Sequence, residues 1–564
     1  MKKLTVLLTI FILSCSSLSA QDKLTENFNK LTDEILENLQ QFYPVEATAR
    51  GVHTYDYVLP DFSRKSVRNE ISKLKDFEKR LYKYRNTNLS LENKINLKLI
   101  KGNVDIALQD IDKIEWHRKN PYMYVSDAVN GIYLILISEH APLTERVQNV
   151  IARLKAVPDL LRQGQENIKN PPPVYIELAQ EMTVNGIDFY EAIKDELAES
   201  LPELTSEIET AVERAIAAMR EFEEFLQTVK PGDENSYAIG NKDFDYRLQH
   251  DYFLDLDSDS LLKIGEALFA RLDSTHKAIQ ARLDSNHTGN DSIFVIDCID
   301  KQNVLDYYAW ELNQVKQYLI DNDVVTVPDN IGHCLIVETP VFLRNIISTL
   351  AYQPPGTFNS DQTGHFYVRP ILDTMDNEQA AALYKFIHRR GFKGSIVHEA
   401  YPGHHFQFQL AARNDNDVRK WQFNSFFYEG WAVYCEEMMY HKGLYGDNER
   451  TYANIINWAL LRAARIILDV KLHTGQISRE DAVAWLIKEF AFDTNTAQAE
   501  VDRYTLYPTI QMSYLMGKVE IQKLLEAMKK KEGDSFSLKG FHDRLLSEGS
   551  IPPTLLWEAW GLKQ

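Results

Sequence analysis

Cysteine is scarce in this chain. Among 564 residues there are four, Cys15, Cys298, Cys334 and Cys435, and only three lie beyond residue 20. No two are close-spaced, which argues against a disulfide framework; a single bridge such as Cys298–Cys334 stays open. Positive charge is in deficit as well. With 62 Lys and Arg against 81 Asp and Glu, the net charge is −19. An acidic surface of this kind argues against nucleic acid and against an anionic membrane face as partners. Beyond residue 20 there is no apolar run long enough to cross a bilayer, so no transmembrane segment is expected. Strand signals are few, and no repeat of fixed period occurs.

What remains is an ordinary globular balance, 25% charged and 44% hydrophobic, in a chain long enough to bury a large core. The first twenty residues stand apart. Lys2 and Lys3 precede an apolar stretch from Leu4 to Leu13, and small residues follow. This reads as an export signal, to be set aside from the fold. It has two candidate endings. Ile12-Leu13-Ser14-Cys15 resembles a lipobox, which would make Cys15 a lipid anchor and tie the protein to the outer membrane. Leu18-Ser19-Ala20 before Gln21 resembles an ordinary cleavage site, which would release a soluble periplasmic protein.

Helical periodicity dominates the rest. Leu24, Phe28, Leu31, Ile35 and Leu39 form one apolar stripe over 22–41, and Leu204, Ile208, Val212, Ile216, Met219, Phe222 and Phe225 another over 203–229. Residues 175–200, 258–285, 301–320, 450–475 and 515–530 also read as helices. Two breaks interrupt this pattern. Asn170-Pro171-Pro172-Pro173 is a stiff loop, and the polar segment 231–236 divides candidate lobes 21–230 and 240–564. The best strand runs from Gly364 to Pro370. It could be an edge that pairs with an extended peptide or part of a short structural hairpin.

The chemistry concentrates in His398-Glu399-Ala400-Tyr401-Pro402-Gly403-His404-His405-Phe406-Gln407, which holds three imidazoles and a carboxylate. A zinc hydrolase needs neutral nitrogen ligands, an anionic ligand and a separate carboxylate to move a proton. The common zincin pattern H-E-x-x-H places its second His four residues after the first. Here that position is Pro402, which cannot continue a helix, followed by Gly403. If this pair loops out, His404 takes the second-ligand role. On an undisturbed helix His405 would, since seven residues return to within about 20° of the starting direction and six do not. Both remain open at this point.

Downstream, Glu429 and Glu436 lie seven residues apart on one helical face, within the run Glu429-Gly430-Trp431-Ala432-Val433-Tyr434-Cys435-Glu436. Glu429 is a candidate ligand. Glu436 is a candidate acceptor for a ligand His N–H. A third segment from Arg503 to Gly517 offers Arg503 for a carboxylate and Tyr514 for an oxyanion.

These three ordered segments resemble the bacterial domain-of-unknown-function 885 family. The first resembles its HExxPGHxxQ signature, the second its EGWAxYxE segment, and Arg503-Tyr504, Pro508, Tyr514 and Gly517 its late segment. Family members usually carry Pro-Gly-Gln there, whereas this chain has Pro508-Thr509-Ile510 with Gln511 one place late. The family domain typically covers nearly the whole mature chain. The resemblance implies a mainly α, gluzincin-like fold with a deep cleft and a small β element, distantly similar to helical carboxypeptidases and angiotensin-converting enzyme. It implies zinc (Zn2+) held by His398, His404 and Glu429, with Glu399 as general base and active-site roles for Arg503 and Tyr514. The expectation is an exported zinc-dependent peptidase acting on oligopeptides. A hydrolase of esters or non-peptide amides, and a peptide-binding protein without turnover, are the alternatives.

Overall fold

The computed structural model describes residues 2–285, 303–344, 347, 349–372, 375–388 and 390–563. Cys298 lies outside them. Cys334 and Cys435 are both unbridged thiols.

About 72% of the structure is helical. The main helices of the first half are α1 (Lys2–Phe42), α2 (Pro44–Ala49), α3 (Arg64–Tyr82), α4 (Leu91–Leu108), α5 (Pro121–Ile137), α6 (Leu143–Asn167), α7 (Pro173–Ser200) and α8 (Thr205–Thr228). Their starts follow from local chemistry. Asn120 accepts the Tyr122 N–H ahead of Pro121, and Pro173 occupies the first turn of α7, where a missing N–H costs nothing. Helices α5 to α8 pack on one another and bury the stripe that includes Ile208, Val212, Met219 and Phe222. The two breaks expected from sequence meet in space. The Gly232 N–H donates to Pro171 O at 2.8 Å, so the polar linker lies against the proline loop.

The second half contains α9 (Ser258–Ser285), α10 (Val304–Asp321), and strands β1 (Cys334–Glu338), β2 (Leu350–Gln353) and β3 (Gly364–Val368). Six further helices carry the motif segments and their neighbours: α11 (Phe392–Glu399), α12 (His404–Ala411), α13 (Ser425–His441), α14 (Glu449–His473), α15 (Thr494–Leu506) and α16 (Ile510–Glu532). Buried side chains from Leu31 to Trp560 form one contiguous core that includes both halves.

The sheet has the order β1-β3-β2. β3 runs parallel to β1, with Cys334 opposite Gly364, and antiparallel to β2, with Leu350 opposite Val368. The sequence-predicted strand is therefore the centre of a mixed sheet and not an edge. Its inner residues Phe366, Tyr367 and Val368 are buried. The edge position nearest the chemistry belongs to β2, which lines the main cleft.

Two helix crossings place the reactive segments. α13 packs along α16 with backbone contact at Gly430 and Gly517. A Cβ on Gly517 would lie 2.1 Å from Phe426 O, and one on Gly430 would lie 2.6 Å from the Gly517 backbone. α9 packs along α14.

Candidate metal centre

The sequence His398 to His404 does not form one helix. α11 ends at Glu399, the Tyr401–Pro402 bond is cis, and α12 begins at His404. Gly403 fits the return of the chain because a Cβ there would sit 1.9 Å from His398 O. The Trp431 indole N–H donates to Pro402 O at 2.7 Å and ties this loop to α13.

The break decides which imidazole faces Glu429. His398 Nε2 lies 3.6 Å and His404 Nε2 3.5 Å from the same oxygen, Glu429 Oε2. All three side chains are buried, and their candidate ligand atoms lie within 4.8 Å of one another. His405 turns away. Its Nε2 is 3.1 Å from Gly332 O, and its Nδ1 is 2.8 Å from the Tyr352 hydroxyl on β2. Burial pushes the His405 ring down to about 3, so it is neutral and bound up with the sheet.

Glu429 Oε2 is buried and makes no hydrogen bond. A buried carboxylate oxygen without a partner is costly. Distances of 3.5 and 3.6 Å are long for hydrogen bonds. They suit two ligands of one tetrahedral ion, since zinc bonds of 2.0–2.1 Å put ligand atoms about 3.3 Å apart. The residues present thus fit a zinc ion. Burial alone would raise the Glu429 carboxyl, but His404 and His398 outweigh it and hold it well below the usual range.

Behind the candidate ligand atoms, His398 Nδ1 lies 2.8 Å from Glu436 Oε1, a close polar contact whose alignment falls short of a hydrogen bond. Arg462 grips the Glu436 carboxylate with both terminal nitrogens, at 2.7 and 3.0 Å. Burial would raise Glu436, and Arg462 and His398 together hold it far below the usual range. Arg462 was not expected from sequence.

Glu399 is buried, and its Oε1 lies 3.4 Å from Arg390 Nη1. Tyr514, on α16, faces Glu429. Burial and then the Glu429 charge push its hydroxyl up to about 12. This approach follows from the Gly430–Gly517 contact, because Glu429 adjoins one glycine and Tyr514 precedes the other by one helical turn. Arg503 points to a carboxylate: its Nη2 lies 3.0 Å from Glu500 Oε2. Arg465 Nη2 reaches that same oxygen at 3.0 Å. Gln511 is buried with neither amide atom bonded.

All six sequence-predicted site residues, His398, Glu399, His404, Glu429, Arg503 and Tyr514, line one cleft of about 760 Å³. α2 and α5 also line it, with Glu46 and Asp127, as does β2.

The profile of the family described as "Bacterial protein of unknown function (DUF885)" matches residues 44–559. The chain belongs to that family. Two solved structures share its fold. A proposed lipoprotein of unknown function from Shewanella oneidensis is 21% identical with a TM-score of 0.75, over 94% of this chain and 99% of that one. A proposed lipoprotein from Colwellia psychrerythraea is 17% identical with a TM-score of 0.76, over 94% and 97%. No curated protein matches the sequence.

Outside the family's motif segments, a second group of two imidazoles and a carboxylate lies in the first half. It comprises His53, Asp56 and His140. His53 Nδ1 is 2.7 Å from Asp56 Oδ2, and its Nε2 is 2.6 Å from Asn359 Oδ1. His140 stacks on His53 with ring centroids 3.4 Å apart and planes 3° from parallel. No local motif links these residues, which is why sequence reasoning passed over them.

Proposed function

We propose that this protein is an exported zinc-dependent peptidase of gluzincin type. The observation that carries the reading is the unpartnered Glu429 Oε2, buried and shared by two imidazole nitrogens at 3.5 and 3.6 Å. His398, His404 and Glu429 would hold the ion. Zinc, when bound, supplies Lewis acidity that polarises a carbonyl and acidifies water.

The side chains around the triad have separate tasks in this reading. The Glu399 carboxylate takes the proton of the attacking water and returns it to the leaving amine. It follows His398 directly and lines the same cleft. The Tyr514 hydroxyl donates to the oxygen that gains charge as the carbonyl becomes tetrahedral. Burial and Glu429 keep that hydroxyl protonated at neutral pH. Glu436, anchored by Arg462, sets the direction of the His398 ring. β2 is an edge strand whose residues line the cleft, a position that suits backbone pairing with an extended chain.

Export rests on the basic and apolar leader. A lipid anchor at Cys15 agrees with the description given to both structural relatives. Among the described residues no helix is long and apolar enough to cross a membrane.

The test is metal content of the purified protein together with mass-spectrometric digestion of a peptide mixture. About one zinc per chain and peptide-bond cleavage that a chelator abolishes are expected. A zinc-free protein, or a zinc-loaded one that cleaves esters and no peptide, would overturn the reading.

A further inference from the structure

Among the described residues the cleft contains five arginines, and their partners are unequal. Arg50 is matched by Glu46, with Nη2 to Oε1 at 2.6 Å. Arg462 spends both terminal nitrogens on Glu436. Arg390 faces Glu399 and lies over the Trp458 ring at 4.6 Å. Arg465 and Arg503 differ, because both reach one oxygen, Glu500 Oε2, at 3.0 Å. The Tyr504 hydroxyl donates to that oxygen as well, at 2.6 Å, and Arg465 Nε donates to the Tyr504 oxygen at 3.0 Å.

Among the described residues two guanidinium groups therefore share the Glu500 carboxylate, and their charge exceeds its own by one. A guanidinium stays charged at every pH a protein experiences. Arg465 Nη1 and Arg503 Nε and Nη1 have no acceptor within hydrogen-bonding distance among the described residues. Both side chains line the cleft, where these donors are open to a ligand. Glu46, neutralised by Arg50, and Asp127, whose carboxyl burial pushes up to about 7, line the same cleft.

The pair is also close to the metal triad. The Arg465 guanidinium lies 5.0 Å from the centre of the Tyr514 ring, and Tyr514 faces Glu429. A molecule held at the arginines can reach the reaction centre without leaving the cleft.

We propose that Arg465 and Arg503 are a docking site for a substrate carboxylate, so that this cleft selects peptides with a carboxylate near the scissile bond. The inference rests on the peptidase reading above. The carboxylate can come from a free C-terminus or from an Asp or Glu side chain, and planar two-point capture by Arg suits either.

The experiment compares matched pentapeptides on the zinc-loaded protein: free acids, C-terminal amides, and amides with Glu in place of Gln. Free acids should be cleaved with kcat/KM about 10- to 100-fold above the neutral amides, the range a charge-assisted hydrogen bond supplies. Amides containing Glu that match the free acids would assign the site to a side chain, and amides containing Glu that match the neutral ones would assign it to the C-terminus. Arg503→Gln should bring the acid-to-amide ratio close to one with zinc content unchanged, and Arg503→Lys should restore part of it. Equal cleavage of all three peptides overturns the carboxylate site and leaves the peptidase reading standing. If no peptide is cleaved, the peptidase reading fails, and calorimetric binding of the same peptides decides the rest. Tighter binding of acids that Arg503→Gln abolishes keeps the site, and equal binding or none overturns it.

Discussion

Two regions of this molecule hold the same ingredients, two imidazoles and a carboxylate within ligand distance of one another, and they differ in everything else. In the His398–His404–Glu429 group the rings are nearly perpendicular, at 80°, and converge on one carboxylate oxygen that has no hydrogen bond. In the His53–Asp56–His140 group the rings are parallel. Parallel rings send their nitrogen lone pairs side by side, so an ion 2.0–2.1 Å from both would lie well outside each ring plane. The oxygens there are spent too: Asp56 Oδ1 accepts from Thr48 at 2.6 Å, and Asp56 Oδ2 lies 2.7 Å from His53 and 3.4 Å from His140. The two groups share residue type and proximity; unsatisfied lone pairs aimed at a common point set apart the one proposed to hold zinc. The second group instead joins the α2 region to the loop before β3, where Phe358 N–H also donates to Arg50 O at 2.9 Å.

The strongest way to break the contrast is to remove one imidazole from each group. His404→Ala should abolish zinc retention and turnover, while His140→Ala should leave about one zinc per chain by mass spectrometry under native conditions. Two zincs per chain in the unaltered protein would erase the distinction. Within the first group, Glu399→Gln should retain zinc and lose about 10²- to 10⁴-fold in kcat. Full activity in that variant would remove Glu399 from the mechanism. Tyr514→Phe should cost about 10²- to 10³-fold in kcat at constant zinc content. A change confined to KM would assign the hydroxyl to substrate binding.

His405 tests the boundary between ligand and support. His405→Ala should keep the zinc yet destabilise the fold by about 1–3 kcal/mol, because Gly332 O and the Tyr352 hydroxyl lose a buried partner. Urea denaturation would measure this, and loss of zinc without loss of stability would reverse the assignment. The smallest effect concerns acid. Burial and then His53 lower the His140 ring to about 4 from an ordinary 6.5. The unfolded chain takes up that proton first, so stability should be full above pH 6.5 and fall as pH drops toward 4. His140→Gln should flatten this part of the stability profile, read as midpoint denaturant concentration against pH.

Much of this site was legible in sequence because its parts are local. His398 and His404 are six residues apart, and Pro402 and Gly403 announce the break between their helices. Glu429 and Glu436 share a face by helical arithmetic alone. The helical stripes were equally open to reading, and α16 differs from expectation mainly by starting earlier, at Ile510. What could not be read was long-range. Strands β1 and β2 were not read from the sequence, and their pairing with β3 is what defines them. Arg462 and Arg465 look like one more charged pair on a helix until α13 and α15 bring Glu436 and Glu500 to meet them. Glu500 was closer to discovery, since it lies one turn before Arg503 on the same helix. His53 and His140 meet only through the tertiary fold.

The bare contact between Gly430 and Gly517 gives the molecule an uneven tolerance for change. Where side chain packs on side chain, an altered residue can be absorbed by its neighbours shifting a little. At this crossing there is no side chain to shift, and backbone meets backbone. Alanine at either position would act as a shim, prying α13 from α16 and carrying Tyr514 away from Glu429. Random mutagenesis should therefore find two of the most intolerant positions at residues that have no functional group at all.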